Sequence, residues 1–396
     1  MALHKCELGL PRLALPMKKP QFEYSSLTVV LDHVDLARKE DRYTDHHPDH
    51  VLHILPSDLT KGTLDKLLDW IGAFDLNKLS VIAEHGTPSR LKRIIEAVNA
   101  RLAAECWITV SGFRIDRESW LQLTLRFENV TFHHCTFAES VWRTSRGDQR
   151  CNTLCFDYCE GEPVSAMPIG GSAWPSLKWV LVGEGFESEA FHSKAHLPSS
   201  YPVQNPSSNE LTQQIVSNLW HEGLEELYLN DCKSVEWLIN LPPRLSLKTL
   251  YLNYCPTTVN VFNWLVQHKK LDHMSLAWMP DVQLPWRRLS ELRKLKSLMV
   301  EDTNLDDAQL IQIAESAKLK TIDLYYNSKL TAASWKTLLE WPSLVMLSGS
   351  MELLQGPIPD DLPLSTNLKE AVAMNTKRGS FDWLKVRYPS VKVFEM

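Results

Sequence analysis

Two short stretches of the chain combine side chains that could bind a metal ion. The stretch from Asp41 to His53 is dense in imidazole and carboxylate groups, which bind divalent metals. Its members are Asp45, His46, His47, Asp49, His50 and His53. Further along, Cys151, Cys155 and Cys159 are spaced four residues apart, and thiolates are zinc ligands. The first stretch favours one remote alternative for the function of the protein, a metal-dependent enzyme that uses these histidine and aspartate side chains.

Each stretch also has an interpretation that requires no metal. The histidines and aspartates are typical of a polar surface loop before a strand near Val51, and no Cys-x-x-Cys or His-Glu-x-x-His motif accompanies them. In a strand, positions four apart are separated by roughly 13 Å, whereas a zinc–sulfur bond is about 2.3 Å long. We therefore favour structural thiols, with Cys151 and Cys159 pointing inward and Cys155 on the concave face, and we predict no metal and no cofactor.

A recurring pattern places these residues along the chain. Leu224, Leu227, Leu229 and Cys232 spell Leu-x-x-Leu-x-Leu-x-x-Cys, and the pattern returns about every 24 residues. Four further copies are Leu247, Leu250, Leu252 and Cys255; Leu271, Met274, Leu276 and Met279; Leu295, Leu298, Val300 and Thr303; and Leu319, Ile322, Leu324 and Asn327. A period of about 20–29 residues is the signature of a solenoid. The first, fourth, sixth and ninth positions of each copy are predicted to fill the core.

Weaker copies extend the pattern in both directions. Those before it are Val51 and Ile54; Leu76, Leu79 and Val81; Ala103, Cys106 and Ile108; Phe127, Val130, Phe132 and Cys135; Cys151, Leu154, Phe156 and Cys159; and Leu177, Val180 and Val182. Those after it are Leu344 and Leu347; Leu368, Ala371 and Ala373; and Val391 and Val393. The spacing of alternate apolar residues predicts one strand in each copy.

These copies resemble leucine-rich repeats of the intracellular type, whose usual pattern is Leu-x-x-Leu-x-Leu-x-x-Asn/Cys-x-Leu. The resemblance is strongest from Phe127 to Leu347. It implies an α/β fold, a leucine-rich-repeat solenoid with a curved parallel sheet on the concave face and short helices on the convex face.

Several segments between the predicted strands have helical patterns. Thr87-Pro88 is a favourable helix start, and it is followed by apolar residues at helical spacing. These are Leu91, Ile94, Ile95, Val98 and Leu102. Asp306-Asp307 places acidic groups at the amino end of another predicted helix. Trp335, Leu338 and Leu339 indicate a third.

The pattern also predicts the domain organisation. We expect an N-terminal cap or extension over 1–50, the solenoid over 51–350 and a C-terminal repeat and cap over 351–396. Leu177 and Leu224 lie about two periods apart, and His192 to Asn209 is rich in serine, proline and histidine. This predicts an inserted loop at about 190–210. Prolines between Gly356 and Thr366 predict a second irregular stretch.

Composition limits the classes of partner and the location. The formal net charge is −6, which disfavours a broad nucleic-acid-binding surface. The sequence has no run of about 18 apolar residues, so we expect no membrane span. The N-terminus is a poor match to a signal peptide. Cysteines occupy the ninth position of four copies, where a buried thiol suits a reducing compartment. We expect a cytoplasmic protein.

The outward positions carry an unusual set of side chains. The second, third, fifth, seventh and eighth residues of each copy are predicted to face outward, and aromatic and acidic residues dominate there. Tyrosine suits strands by propensity, which accounts for part of the pattern. Tyrosine and tryptophan are also enriched at binding hot spots. The candidate partner-binding residues are Tyr158, Tyr228, Asp231, Tyr251, Tyr254, Trp278, Glu301, Asp302, Asp323, Tyr325 and Tyr326.

These observations predict a non-enzymatic protein whose acidic, aromatic concave face binds another protein, one with a basic surface patch. The sequence contains no Gly-x-x-x-x-Gly-Lys phosphate loop and no Gly-x-Ser-x-Gly elbow. A stoichiometric inhibitor or immunity-type antitoxin meets this description, in the manner of the ribonuclease inhibitors that cover basic enzymes. The alternatives are an adaptor, or substrate-recognition subunit of a larger complex, and a purely structural protein.

Overall fold

The computed structural model describes most of the chain in two compact units. The described residues are 25–31, 50–54, 76–99, 102–141, 150–161, 176–183, 209–279, 283–350, 353, 357–373 and 379–395. The first unit spans Met1–His221 and the second spans Glu222–Met396. Most of the predicted inserted loop and the segment 41–49 of the predicted metal site lie outside the described residues.

In the first unit, parallel strands pair in register. These strands are β1 (Ser25–Leu31), β2 (His50–Ile54), β3 (Leu76–Gly86), β4 (Trp107–Ile115), β5 (Asn129–His133), β6 (Thr136–Phe137), β7 (Thr153–Asp157), β8 (Glu160–Gly161) and β9 (Trp179–Gly183). Strands β3, β4, β5, β7 and β9 follow one another in the main sheet, and the short β6 pairs with β4 and β8 in a second one. The second sheet was not predicted.

The N-terminal strands depart from the predicted order. Strand β1 pairs in parallel with both β2 and β3, so residues before position 51 contribute a strand to the sheet. Leu27 is the partner of both His50 and Leu79. His50 therefore stands at the fourth position of its copy, and the predicted Val51–Ile54 register is wrong by four residues.

The copy at β4 is also shifted. Ile108 pairs with Val130, which is the fourth residue of its own copy. The fourth position is therefore Ile108 and not Cys106 as predicted. A shift of two residues keeps the same side chains inward, because strand side chains alternate. The shift nevertheless moves every outward side chain on β4 to a different position of the repeat.

The helices of the first unit are α1 (Pro88–Asn99), α2 (Arg117–Arg126) and α3 (Asn209–Leu219), with a 3-10 turn at Glu139–Val141. The predicted start of α1 at Thr87-Pro88 is confirmed, and its five predicted apolar residues are buried. Asp116 caps α2, because its Oδ1 accepts a hydrogen bond from the Ser119 amide at 2.8 Å. Phenylalanines and Trp120 fill much of this core.

In the second unit, each strand pairs with the next in parallel. The strands are β10 (Glu226–Asn230), β11 (Thr249–Asn253), β12 (His273–Ser275), β13 (Ser297–Met299), β14 (Thr321–Asp323), β15 (Met346–Gly349), β16 (Glu370–Ala373) and β17 (Lys392–Glu395). The partners Leu227, Leu250, Met274, Leu298 and Ile322 are the predicted fourth positions, and all are buried. The predicted register is confirmed here.

Short helices connect these strands. They are α4 (Val259–Leu265), α5 (Asp307–Ser316), α6 (Ser334–Glu340) and α7 (Asp382–Arg387), with 3-10 turns at Glu236–Asn240 and Trp286–Glu291. Asp306 caps α5 in a capping box with Gln309, as its acidic start predicted. Trp335, Leu338 and Leu339 are buried on α6. The fold is a leucine-rich-repeat solenoid, as predicted.

In four copies, the ninth residue stabilises the stacking of neighbouring copies. The thiols of Cys135, Cys159 and Cys255 donate to the sixth-position carbonyl of the preceding copy over 3.3, 3.3 and 3.5 Å. The Asn327 amide donates to the Val300 carbonyl in the same way, over 2.7 Å. Because burial raises the pKa of the Cys135 thiol to about 12, the thiol stays protonated and remains a donor.

Candidate functional site

The eighth residue of most described copies adopts a left-handed backbone. Its φ lies between 48° and 60° at His134, Tyr158, Asp231, Tyr254, Trp278, Asp302 and Tyr326, and Gly112, the eighth residue of the β4 copy, has a φ of 76°. An L-residue here costs roughly 1–2 kcal/mol, and glycine avoids that cost. Unlike Gly112, the other seven residues each carry a side chain where the backbone favours having none.

The left-handed turn has a consequence for backbone hydrogen bonding. The Tyr254 amide donates to the Ala277 carbonyl over 3.0 Å, and the Trp278 amide donates to the Glu301 carbonyl over 2.7 Å. Both acceptors are seventh-position residues of the next copy. The turn therefore extends the hydrogen bonding between copies beyond the strands. It places the eighth side chains of each unit in a row at the carboxyl ends of the strands.

Three rings of this row contact one another in the second unit. The Tyr254 and Trp278 ring centroids are 5.3 Å apart with planes inclined by 8°, and Trp278 lies 5.4 Å from Tyr326 at 40°. Strands β12 and β14 are two spacings apart, about 9.6 Å. The Trp278 and Tyr326 rings therefore lean together across Asp302, whose smaller side chain occupies the intervening copy. Tyr254 keeps 38 % of its surface exposed.

A second aromatic pair lies on the fifth positions of β10 and β11. The Tyr228 and Tyr251 ring centroids are 4.7 Å apart and nearly perpendicular, and both side chains are half-buried. The Tyr228 hydroxyl donates to Glu226 Oε2 over 2.6 Å. Burial raises the pKa of both tyrosines, so both are neutral donors at physiological pH.

Two carboxyl groups, Glu301 after strand β13 and Asp323 at the end of β14, are less acidic than ordinary carboxylates. Burial, followed by the charges of Asp323 and Asp302, raises the pKa of Glu301 to about 8. Burial raises the pKa of Asp323 to about 7, against the opposing hydrogen bond that its Oδ1 accepts from the Tyr325 amide at 3.2 Å. The two groups are therefore partly protonated near pH 7, and the surface carries less negative charge than the sequence indicates.

The other predicted contact residues differ in exposure. Tyr325 is only 7 % exposed, because its ring packs with Val372, Tyr326 and Met346. Its accessible area is therefore much smaller than its outward position predicted. Asp231 and Asp302 are half-buried at the eighth position.

We name the outward side chains of the second unit the aromatic–acidic face. They are Tyr228, Asp231, Tyr251, Tyr254, Trp278, Glu301, Asp302, Asp323 and Tyr326. This face brings together nine of the eleven predicted residues, and Tyr325 lies beside it. Tyr251 and Trp278 keep exposed surface and lie outside the hydrophobic core, as the outward positions require.

Tyr158 belongs to the first unit and has different neighbours. Its ring stacks on His134 with a centroid distance of 4.9 Å and an angle of 18°, and it meets His133 edge-on at 5.9 Å. His134 is thus the first-unit counterpart of Trp278 in ring stacking. The repeated position could have indicated this, since His134 and Tyr158 are both eighth residues.

The sequence did not indicate a chain of polar contacts across three strands of the first unit. Ser111 Oγ lies 3.2 Å from His133 Nδ1, and His133 Nε2 lies 3.3 Å from Asp157 Oδ2. The three residues are register partners on β4, β5 and β7. Because the predicted register of β4 was shifted by two residues, Ser111 did not align with the other two. Serine, histidine and aspartate also form hydrolase triads, but Ser111 is 2 % exposed, so its hydroxyl is held inside the network.

Among the described residues, no group of three or more histidine, cysteine, aspartate or glutamate side chains is arranged to hold a metal ion. Cys151, Cys155 and Cys159 are free and buried, and burial raises the pKa of all three. Cys155, which was predicted on the concave face, is only 4 % exposed. His50 and His53 lie on β2, and the rest of the predicted histidine–aspartate site lies outside the described residues.

Comparison with known proteins adds little to this geometry. The sequence matches no family model, and it matches no curated protein. Among solved structures it is similar to the crystal structure of an internalin, inlF, from Listeria monocytogenes str. 4b F2365. The identity is 14 %, the match covers 75 % of this chain and 80 % of that chain, and the TM-score is 0.40. A similarity of this extent supports no statement about function.

Among the described residues, every helix is too short or too polar to cross a membrane.

Proposed function

We propose that this chain is a non-enzymatic binding protein whose aromatic–acidic face holds a partner protein that presents a basic surface patch. The observation that carries the proposal is the row of rings at Tyr254, Trp278 and Tyr326. Each ring sits on a left-handed residue where glycine would be less strained, and the rings are only partly buried. The fold does not require aromatic side chains at these places.

The chemistry of the face supports a protein partner. Tyrosine and tryptophan bury a large area with few rotatable bonds, and both are enriched at interface hot spots. The hydroxyls of Tyr228, Tyr251 and Tyr254 are neutral donors because burial raises their pKa, and carboxylates lie among the rings. A basic partner would match this surface in charge and would be oriented by it.

One form of this function is stoichiometric inhibition, in which occupying the partner is the output, as for an immunity-type antitoxin. An adaptor role would use the same face and a second docking segment. The seven described cysteines are free and buried, and free thiols persist in reducing compartments. On that basis we propose a cytoplasmic location.

The test is affinity capture from cells of the source organism with quantitative mass spectrometry. Tyr254→Ala combined with Trp278→Ala should reduce recovery of the partner at least tenfold, because hot-spot rings each contribute about 2 kcal/mol or more. The thermal midpoint should change by only a few degrees, since both rings are partly exposed.

The matched control removes two large side chains from helices of the same unit. Val259 on α4 is 47 % exposed and Ile311 on α5 is 43 % exposed. Val259→Ala combined with Ile311→Ala should leave recovery unchanged. Equal recovery with the two double variants would contradict the assignment of the face.

A further inference from the structure

Two carboxyl groups on the aromatic–acidic face lack a compensating cation. Glu301 stands at the seventh position of its copy, and Asp323 stands at the fifth position of the next one. Within the described part of the chain, neither forms an ion pair with a lysine, arginine or histidine. Burial of a charged carboxylate without a cation is costly, and the raised pKa of both groups reflects this cost, so a cation supplied by a partner would favour the charged forms.

The neighbours of Glu301 and Asp323 are acidic or aromatic. Asp302 follows Glu301 directly, and Tyr325 follows Asp323 at two residues. Tyr254 is close enough for the negative charges of Glu301 and Asp302 to raise its pKa, and Tyr325 is close enough for those of Asp323 and Glu301 to raise its own. The described groups that interact electrostatically with the pair are therefore carboxylates and phenols.

The rings at the eighth positions follow the strands of the copies that flank Glu301. Trp278 precedes Glu301 by one copy, and Tyr326 follows it by one copy. Their ring centroids are 5.4 Å apart, and Asp302 is the eighth residue of the copy between them. Carboxylates and aromatic faces thus lie side by side, and each attracts the same class of ligand, an organic cation.

A guanidinium group suits this combination better than an ammonium group. It is planar, it stacks on aromatic faces and it donates two parallel hydrogen bonds to a carboxylate. It is also less strongly hydrated, so it loses less on entering a partly buried site. Lysine offers only a compact charge with three donors.

We propose that the group recognised at this face is an arginine side chain of the partner, which pairs with Glu301 and Asp323 while its plane lies against Trp278 and Tyr326. The inference rests on the proposed function and names the partner's chemistry at one place on the face.

Binding of such a cation should be linked to proton release. With a pKa of about 8 for Glu301 and about 7 for Asp323, both carboxyls are partly protonated at pH 7, and a guanidinium would favour the charged forms. Affinity should therefore rise as the pH increases from 6 to 8.5. Among the described residues, the other ionisable groups that interact electrostatically with the pair are Asp302, Tyr254 and Tyr325. Burial raises the pKa of both tyrosines above the usual value, so neither phenol ionises over this range and the expected change comes from Glu301 and Asp323.

The experiment uses three fluorescein-labelled peptides of one design, Gly-X-Gly-X-Gly, in which X is arginine, lysine or citrulline. Citrulline keeps the shape of arginine and removes its charge. Fluorescence anisotropy with the full chain, at low salt and at pH 6, 7 and 8.5, should show binding in the order arginine, lysine, citrulline. The arginine peptide should bind at least tenfold more tightly at pH 8.5 than at pH 6.

Glu301→Gln and Asp323→Asn should each weaken the arginine peptide at pH 8.5 and reduce the dependence on pH. The control is Asp272→Asn. Asp272 stands at the second position of the copy that contains β12, and its Oδ1 lies 2.8 Å from His273 Nδ1. This variant should change neither the affinity for the arginine peptide at pH 8.5 nor the dependence of that affinity on pH. Equal binding of the arginine and citrulline peptides, no binding of any peptide, or an unchanged profile in Glu301→Gln would each overturn the inference. If the capture experiment nevertheless depended on Tyr254 and Trp278, the proposed function would stand without it.

Discussion

The two units differ in how far aromatic side chains fill the core at the strand positions. In the first unit they fill the interior: Trp120, Phe132, Phe137 and Phe156 have ring centroids 5.1–6.1 Å apart, and each is no more than 2 % exposed. In the second unit the fourth and sixth positions are leucine, isoleucine, methionine or valine from β10 to β14. The buried rings of the second unit lie outside the strands, as in the contact of Phe262 with Trp286 over 5.7 Å, and Tyr254 and Trp278 contact each other on the outward surface.

The difference shows that position in the repeat, and not residue type, decides what a ring does. Phe132 and Phe156 are sixth residues, and they point into the core. Two residues later, the eighth position is left-handed and turns its side chain out along the edge of the sheet. A ring at the sixth position stabilises the fold, whereas a ring at the eighth position is available to a partner.

The largest expected effect contrasts the two positions directly. Phe132→Ala should lower the free energy of unfolding of the first unit by about 3–5 kcal/mol, because it leaves a cavity between Trp120 and Phe156. Trp278→Ala should lower that of the second unit by about 1 kcal/mol, since it removes ring contacts at the surface. Urea denaturation followed by hydrogen exchange would assign each loss to its unit. Similar losses for the two variants would break the comparison.

A smaller effect isolates the backbone strain at the eighth position. Trp278→Gly should be more stable than Trp278→Ala by about 1 kcal/mol, because glycine adopts a positive φ without a Cβ penalty. At Ser297, a half-buried residue of strand β13, the same comparison should have the opposite sign, since glycine weakens a strand. Urea midpoints of the four variants measure both differences. Glycine and alanine of equal stability at position 278 would show that the left-handed turn is unstrained.

The regular copies could be predicted from the sequence because their signal is periodic. The fourth-position residues from Leu227 to Ile322 pair as expected, and Asp306 caps its helix as expected. Local pattern and tertiary structure agree there, and each copy repeats the same physical requirement for an inward aliphatic side chain.

The register was lost where the pattern is weak. Strand β4 spans nine residues, so Cys106, Ile108 and Val110 all satisfy an alternating pattern and the sequence does not choose among them. The position of β1 between β2 and β3 depends on pairing between segments that are distant in sequence, which no local spacing encodes. Ser111 could not be aligned with His133 for the first of these reasons.

The residues of the candidate site could be predicted, but not their environment. The outward positions of Tyr254 and Trp278 follow from the repeat, whereas the left-handed turns, the ring contacts and the burial of Tyr325 depend on neighbouring copies. The raised pKa of Glu301 has the same origin, because desolvation is a property of the packed surface.

Photocrosslinking on the two faces tests the central claim most directly. The photoreactive residue p-benzoylphenylalanine would replace either Tyr254 in the row of rings or Ile311 on α5, whose side chains are 38 % and 43 % exposed. Irradiation in cells of the source organism should give a discrete protein adduct with the residue at position 254 and none at position 311. An adduct at 311 in place of 254 would show that the partner is held by the helices and not by the row of rings.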